Sequence, residues 1–196
     1  MEAVGKFSAK GAAMHYFQDM MRILRLDGAV FDRLAATRLP MRYTMLNVSV
    51  LGVIYGMASI QFARSMLARQ PDATISFNPL MILMVSISIA FFMHGGLSLF
   101  VWVFCRGIGG SPQFMPTYLN IGTAAITLWP LAPVVSALQS GVSGPGLTVG
   151  LSIAGVYAAA GIFVAVKAAS GLSPVKMTLA AVATVVYVGC FLYLWL

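Results

Sequence analysis

Apolar residues run through this chain in long blocks from Tyr43 to its end, and polar residues collect in short breaks between them. Five blocks stand out, at Tyr43–Ala63, Pro79–Cys105, Thr117–Leu138, Leu147–Val166 and Pro174–Leu196. Each is close to the ~20 residues needed to cross a hydrocarbon core of ~30 Å. None alternates with the period of two that a β-barrel strand requires, and backbone groups in lipid must be satisfied internally. The pattern therefore predicts five transmembrane α-helices. The breaks contain turn-forming residues: Gly107, Gly109, Gly110, Ser111 and Pro112; then Ser140 to Gly146; then Ser170, Gly171, Ser173 and Pro174.

The first 42 residues follow a different pattern. Met14, Phe17, Met21 and Leu24 recur at helical spacing, with His15, Asp19, Arg22 and Arg25 on other faces. Asp27-Gly28 interrupts the run, and Val30, Phe31 and Leu34 predict a second short helix ending before Pro40. An amphipathic helix with basic and bulky apolar faces suits a membrane interface. The expected organisation is a cytoplasmic arm, 1–42, and a transmembrane domain, 43–196. The arm either docks a partner or packs beneath its own bundle.

Composition and charge sharpen this picture. Hydrophobic residues make up 60% of the chain and charged residues 9%, against roughly 25% charged in soluble domains. Seven of the twelve Lys and Arg precede Tyr43, so the net charge of +7 points to anionic lipid headgroups rather than nucleic acid. The same asymmetry places the N terminus in the cytoplasm and, after five spans, the C terminus outside. Arg64, Arg69 and Asp72 fall in the first external connection.

Candidate chemistry is sparse. Cys105 and Cys190 are expected at opposite membrane faces, which excludes a disulfide. The sequence contains no nucleophile–base pair, carboxylate pair, phosphate loop or zinc spacing, so no enzymatic activity is expected. His94, in Phe91-Phe92-Met93-His94-Gly95-Gly96, is the titratable group placed deepest in the spans. It could ligate a haem or pigment, or hydrogen-bond to a neighbouring helix. Without a second axial ligand in reach, no cofactor is expected. Gly52 and Gly56 form a GxxxG, and Gly155, Gly161 and Ala165 with Gly95 and Gly96 are further candidates for close helix packing. Trp129-Pro130-Leu131-Ala132-Pro133 predicts a bend in the third span.

Gly109-Gly110-Ser111-Pro112-Gln113-Phe114, followed by Pro130, resembles a motif order in the Yip domain family, the Ypt/Rab-interacting integral membrane proteins. Lys167-Ala168-Ala169-Ser170-Gly171-Leu172-Ser173 with Lys176 resembles that family's basic turn before its last span. Asn78-Pro79-Leu80 keeps the Pro-Leu of a eukaryotic Asp-Leu-x-Gly-Pro element but lacks its Asp and Gly. The resemblance thus implies the bacterial branch, an inner-membrane location and a five-helix bundle without Rab binding. The expected function is a non-enzymatic scaffold or assembly factor with a membrane-protein partner or a second copy. The alternatives are a pigment- or haem-binding accessory subunit using His94, and a lipid or small-solute transport component.

Overall fold

A computed structural model of the chain describes residues 9–68 and 78–195. Arg69 and Asp72 of the expected external connection lie outside them. The described residues are helical, with no strand among them. In chain order the elements are α1 (Ala9–Leu24), α2 (Ala29–Ala35), α3 (Leu39–Ala68) and α4 (Pro79–Gly107). Then follow α5 (Phe114–Ala124), a 3₁₀ turn (Ala125–Leu128), α6 (Leu131–Gln139), α7 (Pro145–Ser170) and α8 (Pro174–Trp195). Three helices, α3, α4 and α7, are long and apolar enough to cross a membrane. The bent pair formed by α5 with its 3₁₀ turn and α6 makes a fourth if it counts as one span. Pro174–Cys190 of α8 is a shorter apolar helix.

Local chemistry sets the boundaries. The Asn78 side chain accepts hydrogen bonds from the Leu80 and Met81 amides at 3.0 and 3.4 Å, and Pro79 opens α4, where its missing N–H is not needed. At the other end of the chain, α7 stops at Gly171, whose φ of 63° suits a residue without Cβ. Pro174 then opens α8.

The expected third span is not one helix. α5 and α6 are bent by 74° across the 3₁₀ turn. Pro130 has no N–H to return to Ile126, and the carbonyl of Ile126 instead accepts the Trp129 amide at 3.2 Å. That closes a tighter turn and redirects the chain.

The N-terminal arm also departs from expectation. Its α1 buries Asp19, Met20 and Ile23, while Met14, Phe17 and Met21 are exposed. Two apolar stripes compete on this helix, and the one read from the sequence is the outer one. Val30, Phe31 and Leu34 of α2 are buried. The arm does not lie beneath the bundle. The Tyr157 hydroxyl, halfway along the 26-residue α7, donates to the Leu24 carbonyl at 2.8 Å. The turn joining α1 to α2 therefore rests against the flank of the bundle.

Candidate functional site

Two neighbouring features dominate the bundle interior: a polar seam around the broken helix, and a cavity on the far side of α3. The seam is built from Thr44, Asn47, Asn120 and Thr123, all buried. Asn47 Nδ2 donates to the Thr123 carbonyl at 2.7 Å, and the Tyr16 hydroxyl of α1 donates to Asn47 Oδ1 at 2.5 Å. Trp129 Nε1 donates to the Asn47 carbonyl at 3.1 Å. The Thr44 hydroxyl donates to the Leu119 carbonyl at 3.0 Å, and Asn120 Nδ2 to the Ala165 carbonyl at 3.3 Å. Backbone at a helix break is tolerated in an apolar setting only when side chains or neighbouring helices take up its hydrogen bonds. Asn47 does so at the Thr123 carbonyl beside the break, and the set ties α1, α3, α5 and α7 together.

Asp19 forms a second tie. It is 3% exposed, pairs with Arg33 of α2 and accepts from the Tyr43 hydroxyl of α3 at 3.1 Å. A buried carboxylate is costly unless paired and hydrogen-bonded, so these partners fix α1, α2 and α3 relative to one another.

The cavity lies among α3, α4, α6 and α8 and has a volume of about 270 Å³. Its wall is mainly apolar, with Val48, Leu51, Ile121, Leu128 and Leu131 among its lining. Tyr55 and Gln139 also line it and hydrogen-bond to each other. With Ser86 and Tyr187, His94 completes the polar part of the wall. It is 6% exposed, its Nδ1 lies 3.4 Å from Ser98 Oγ, and its ring meets that of Tyr118 at 4.3 Å. Its Nε2 is enclosed and has no hydrogen-bond partner.

The other candidate residues separate by helix face. Gly52 and Gly56 pack on α4: a Cβ on Gly52 would stand 2.6 Å from Ile87 Cα, and one on Gly56 3.0 Å from Ser86 Cβ. Gly161 sits directly against Thr127, and Ala165 is fully buried. A Cβ on Gly95 or Gly155 would meet nothing within 4 Å, so neither makes the close helix contact expected of it. Two different reasons apply. His94, Ser98, Val101 and Cys105 form the buried face of α4, one position away from Gly95; Gly155 shares the face of Ala158, Ile162 and Ala165 but lies one turn nearer the start of α7, before that face is covered. Gly96 meets only the Tyr187 hydroxyl, at 3.6 Å.

The two turns that carry the family resemblance come together at one end of the bundle. The Ser111 amide donates to the Ser170 carbonyl at 3.0 Å. A Cβ on Gly109 would lie 3.1 Å from Lys176 Nζ, and one on Gly110 3.3 Å from a Leu172 methyl. Phe114 packs edge-on against Trp102 at 5.6 Å. Gly171 provides the turn between α7 and α8, and Pro130 stands at the distant break rather than in this cluster. Cys105 is buried and Cys190 exposed, and both are free. His15 is exposed on α1, away from the buried His94. Among the described residues no three His, Cys, Asp or Glu gather to hold a metal.

Comparison with protein-family models, curated proteins and solved structures gives no match to this chain. Sequence reasoning missed the seam. It searched the spans for groups that titrate, and Asn47 and Asn120 do not. The available signal was a carboxamide inside an apolar block, where a polar side chain needs a partner on another helix.

Proposed function

We propose that this chain is an integral membrane protein of five spans that acts without catalysis, as a scaffold or assembly factor. In this reading α5 and α6 together form the third span and α8 the fifth. The N terminus is cytoplasmic and the C terminus external, as an inner-membrane protein of the bacterial Yip-like type would be. The meeting of the two motif turns, through Ser111 and Ser170, supports that likeness.

The observation that carries the scaffold reading is the Asp19 tie. It fixes α1 to the bundle through Arg33 and Tyr43 while Met14 and Phe17 remain 63% and 66% exposed. A rigidly held apolar ridge offers another membrane helix a surface whose ordering cost is already met. Arg25 is exposed beside it and would offer its charge to an acidic partner. The seam residues support a non-catalytic role, because they hydrogen-bond to backbone carbonyls rather than pairing as nucleophile and base.

The test is a photo-crosslinking amino acid at Phe17 in native membranes. A discrete protein adduct, with this protein or another, is expected. Adducts with lipid alone would overturn the scaffold reading. Orientation has a separate check, a reporter fused to Leu196 that works only outside the cytoplasm. It should be active, and a silent fusion on properly inserted protein would reverse the topology.

A further inference from the structure

Protein interiors hold few voids larger than a water molecule. The cavity among α3, α4, α6 and α8, at about 270 Å³, is close to the ~300–1,000 Å³ typical of ligand sites. The helices that line it set its shape. On α4 the lining runs from Ser86 to Leu97, about 16 Å along the axis at ~1.5 Å per residue. Gly52 of α3 packs beside Ile87 and Ala90, and Gly56 beside Ser86, so α3 runs antiparallel to α4 and Tyr55 stands level with Ser86.

Polar groups of the wall therefore gather at its two ends. Tyr55 and Gln139, hydrogen-bonded to each other, share one end with Ser86. His94 and Tyr187 stand at the other, where the Tyr187 ring stacks on Phe100 at 4.2 Å and its hydroxyl lies 3.6 Å from a Cβ built on Gly96. Between the ends lie Leu51, Ile89, Ala90 and Val135. A buried water needs two to four polar partners, whereas apolar cavities stay dry and admit apolar guests. Water has partners at the ends of this cavity and none along its middle.

The wall is incomplete on one side. α8 packs on α4 and α7, with no comparable contact to α3 or α6 among the described residues, although it shares the cavity with both. Met93 of α4 and Val188 of α8 line the cavity and are 39% and 37% exposed. Met93 is halfway along the 29-residue α4. An opening at that depth in a membrane-spanning bundle faces hydrocarbon.

We propose that the cavity takes one hydrocarbon chain of a bilayer phospholipid, which enters beside Met93 and Val188 and lies along α4. The headgroup stays at the membrane surface. This inference rests on the membrane-spanning reading and is independent of the scaffold role. A chain suits the void in two ways. A volume of about 270 Å³ extended over about 16 Å leaves a channel roughly one methylene chain wide. A chain also has no hydrogen-bonding group to satisfy where the wall offers none.

The test uses a phospholipid with a diazirine midway along one acyl chain, reconstituted in vesicles with the full-length protein, irradiated, and read by peptide mass spectrometry. Cavity label is read at Ile121, which is 1% exposed, and at Val135; surface label is read at Phe92, 81% exposed on α4. Wild type should carry both. Ala132→Phe fills the cavity and Val188→Trp obstructs its rim, so each should lose the cavity label and keep that at Phe92. Val188→Trp alters a partly exposed position and serves if Ala132→Phe fails to fold. Label at Phe92 without cavity label in wild type would overturn the proposal and leave the membrane reading intact. So would cavity label that persists in either folded variant. Absence of label at both places would remove the membrane reading, and the proposal with it.

Discussion

α3 divides the bundle into two unlike regions. At its glycine contact with α4 and its Thr44 contact with α5 there is no spare room: a Cβ on Gly52 would collide with the α4 backbone, and one on Gly122 with Thr44. Polar side chains there reach carbonyls on other helices, through Thr44 and Asn47. Between α4, α6 and α8 the same helix lines a cavity of about 270 Å³, and His94 of α4, in its wall, has one buried nitrogen unpartnered. One region is closed sterically and its hydrogen bonds are made. The other leaves volume and a buried nitrogen unused. In lipid, where helix association depends on packing and polar contacts rather than the hydrophobic effect, the closed region holds the fold together. The open region is where a change in occupancy would cost the fold least.

The largest expected effect breaks the closed region. Gly52→Leu with Gly56→Leu should lower stability by more than the ~1–3 kcal/mol typical of a single overpacked site. The obstacle at Gly52 is Ile87 Cα, which cannot rotate away. The control is Val53→Leu with Met57→Leu, one position round the helix, where Met57 is 63% exposed. Thermal aggregation in mild detergent and size-exclusion profiles would compare them. Equal loss in the two pairs would mean that the glycine face has no special role.

The sequence made these glycines legible because their spacing alone defines a helix face. It also revealed where helices start and stop, since Asn78-Pro79 and Gly171 through Pro174 act through their own backbone and caps. The break in the third span was visible in Pro130, but not its 74° angle, which depends on how α3 and α7 pack against the turn. Neither could the cavity be read. Val48, Leu128 and Val188 are far apart in the chain, and the space between them is set by packing rather than by local pattern. For α1 the difficulty was ambiguity, since Met20 and Ile23 compete with Met14, Phe17 and Met21 as the apolar face.

The next effect is smaller and removes polar contacts instead of adding bulk. Asn47→Leu leaves the Thr123 carbonyl and the Tyr16 hydroxyl without their partner. A loss of about 1–2 kcal/mol is expected, above the ~0.6 kcal/mol average for hydrogen bonds between membrane helices because two groups are orphaned. The double change with Tyr16→Phe should be less damaging than the sum of the single changes, because the pair shares one contact. Strict additivity in detergent melting curves would show that α1 is not coupled to the break through Asn47.

The open region should respond in the opposite sense. Ala132→Leu adds bulk to the cavity wall, and a gain of up to about 1 kcal/mol is expected where filling a void needs no backbone shift. The measurement is the melting temperature of the delipidated protein. A loss comparable to that of the glycine pair would remove the contrast between the two regions.

The smallest effect concerns the turn that rests α1 and α2 on α7. Arg22 Nε donates to Asp27 Oδ2 at 2.8 Å, and the Ala29 amide donates to Oδ1 at 3.0 Å. The hydrogen bond from Arg22 foremost, then that from Ala29, holds the Asp27 carboxyl below the ordinary aspartate range. A carboxyl with a depressed folded pKa favours the folded state above its unfolded pKa, ~4, and loses that contribution as pH falls through the lower folded value. Wild type should therefore melt slightly above Asp27→Asn at pH 7, and the difference should close as the pH drops below about 4. The Arg22 and Asp27 side chains are 42% and 37% exposed, so salt should shrink the difference at neutral pH. If the gap stays constant from pH 7 down to about 3, the carboxylate charge is not its source, and the geometry of the turn at Ala29 carries the effect instead.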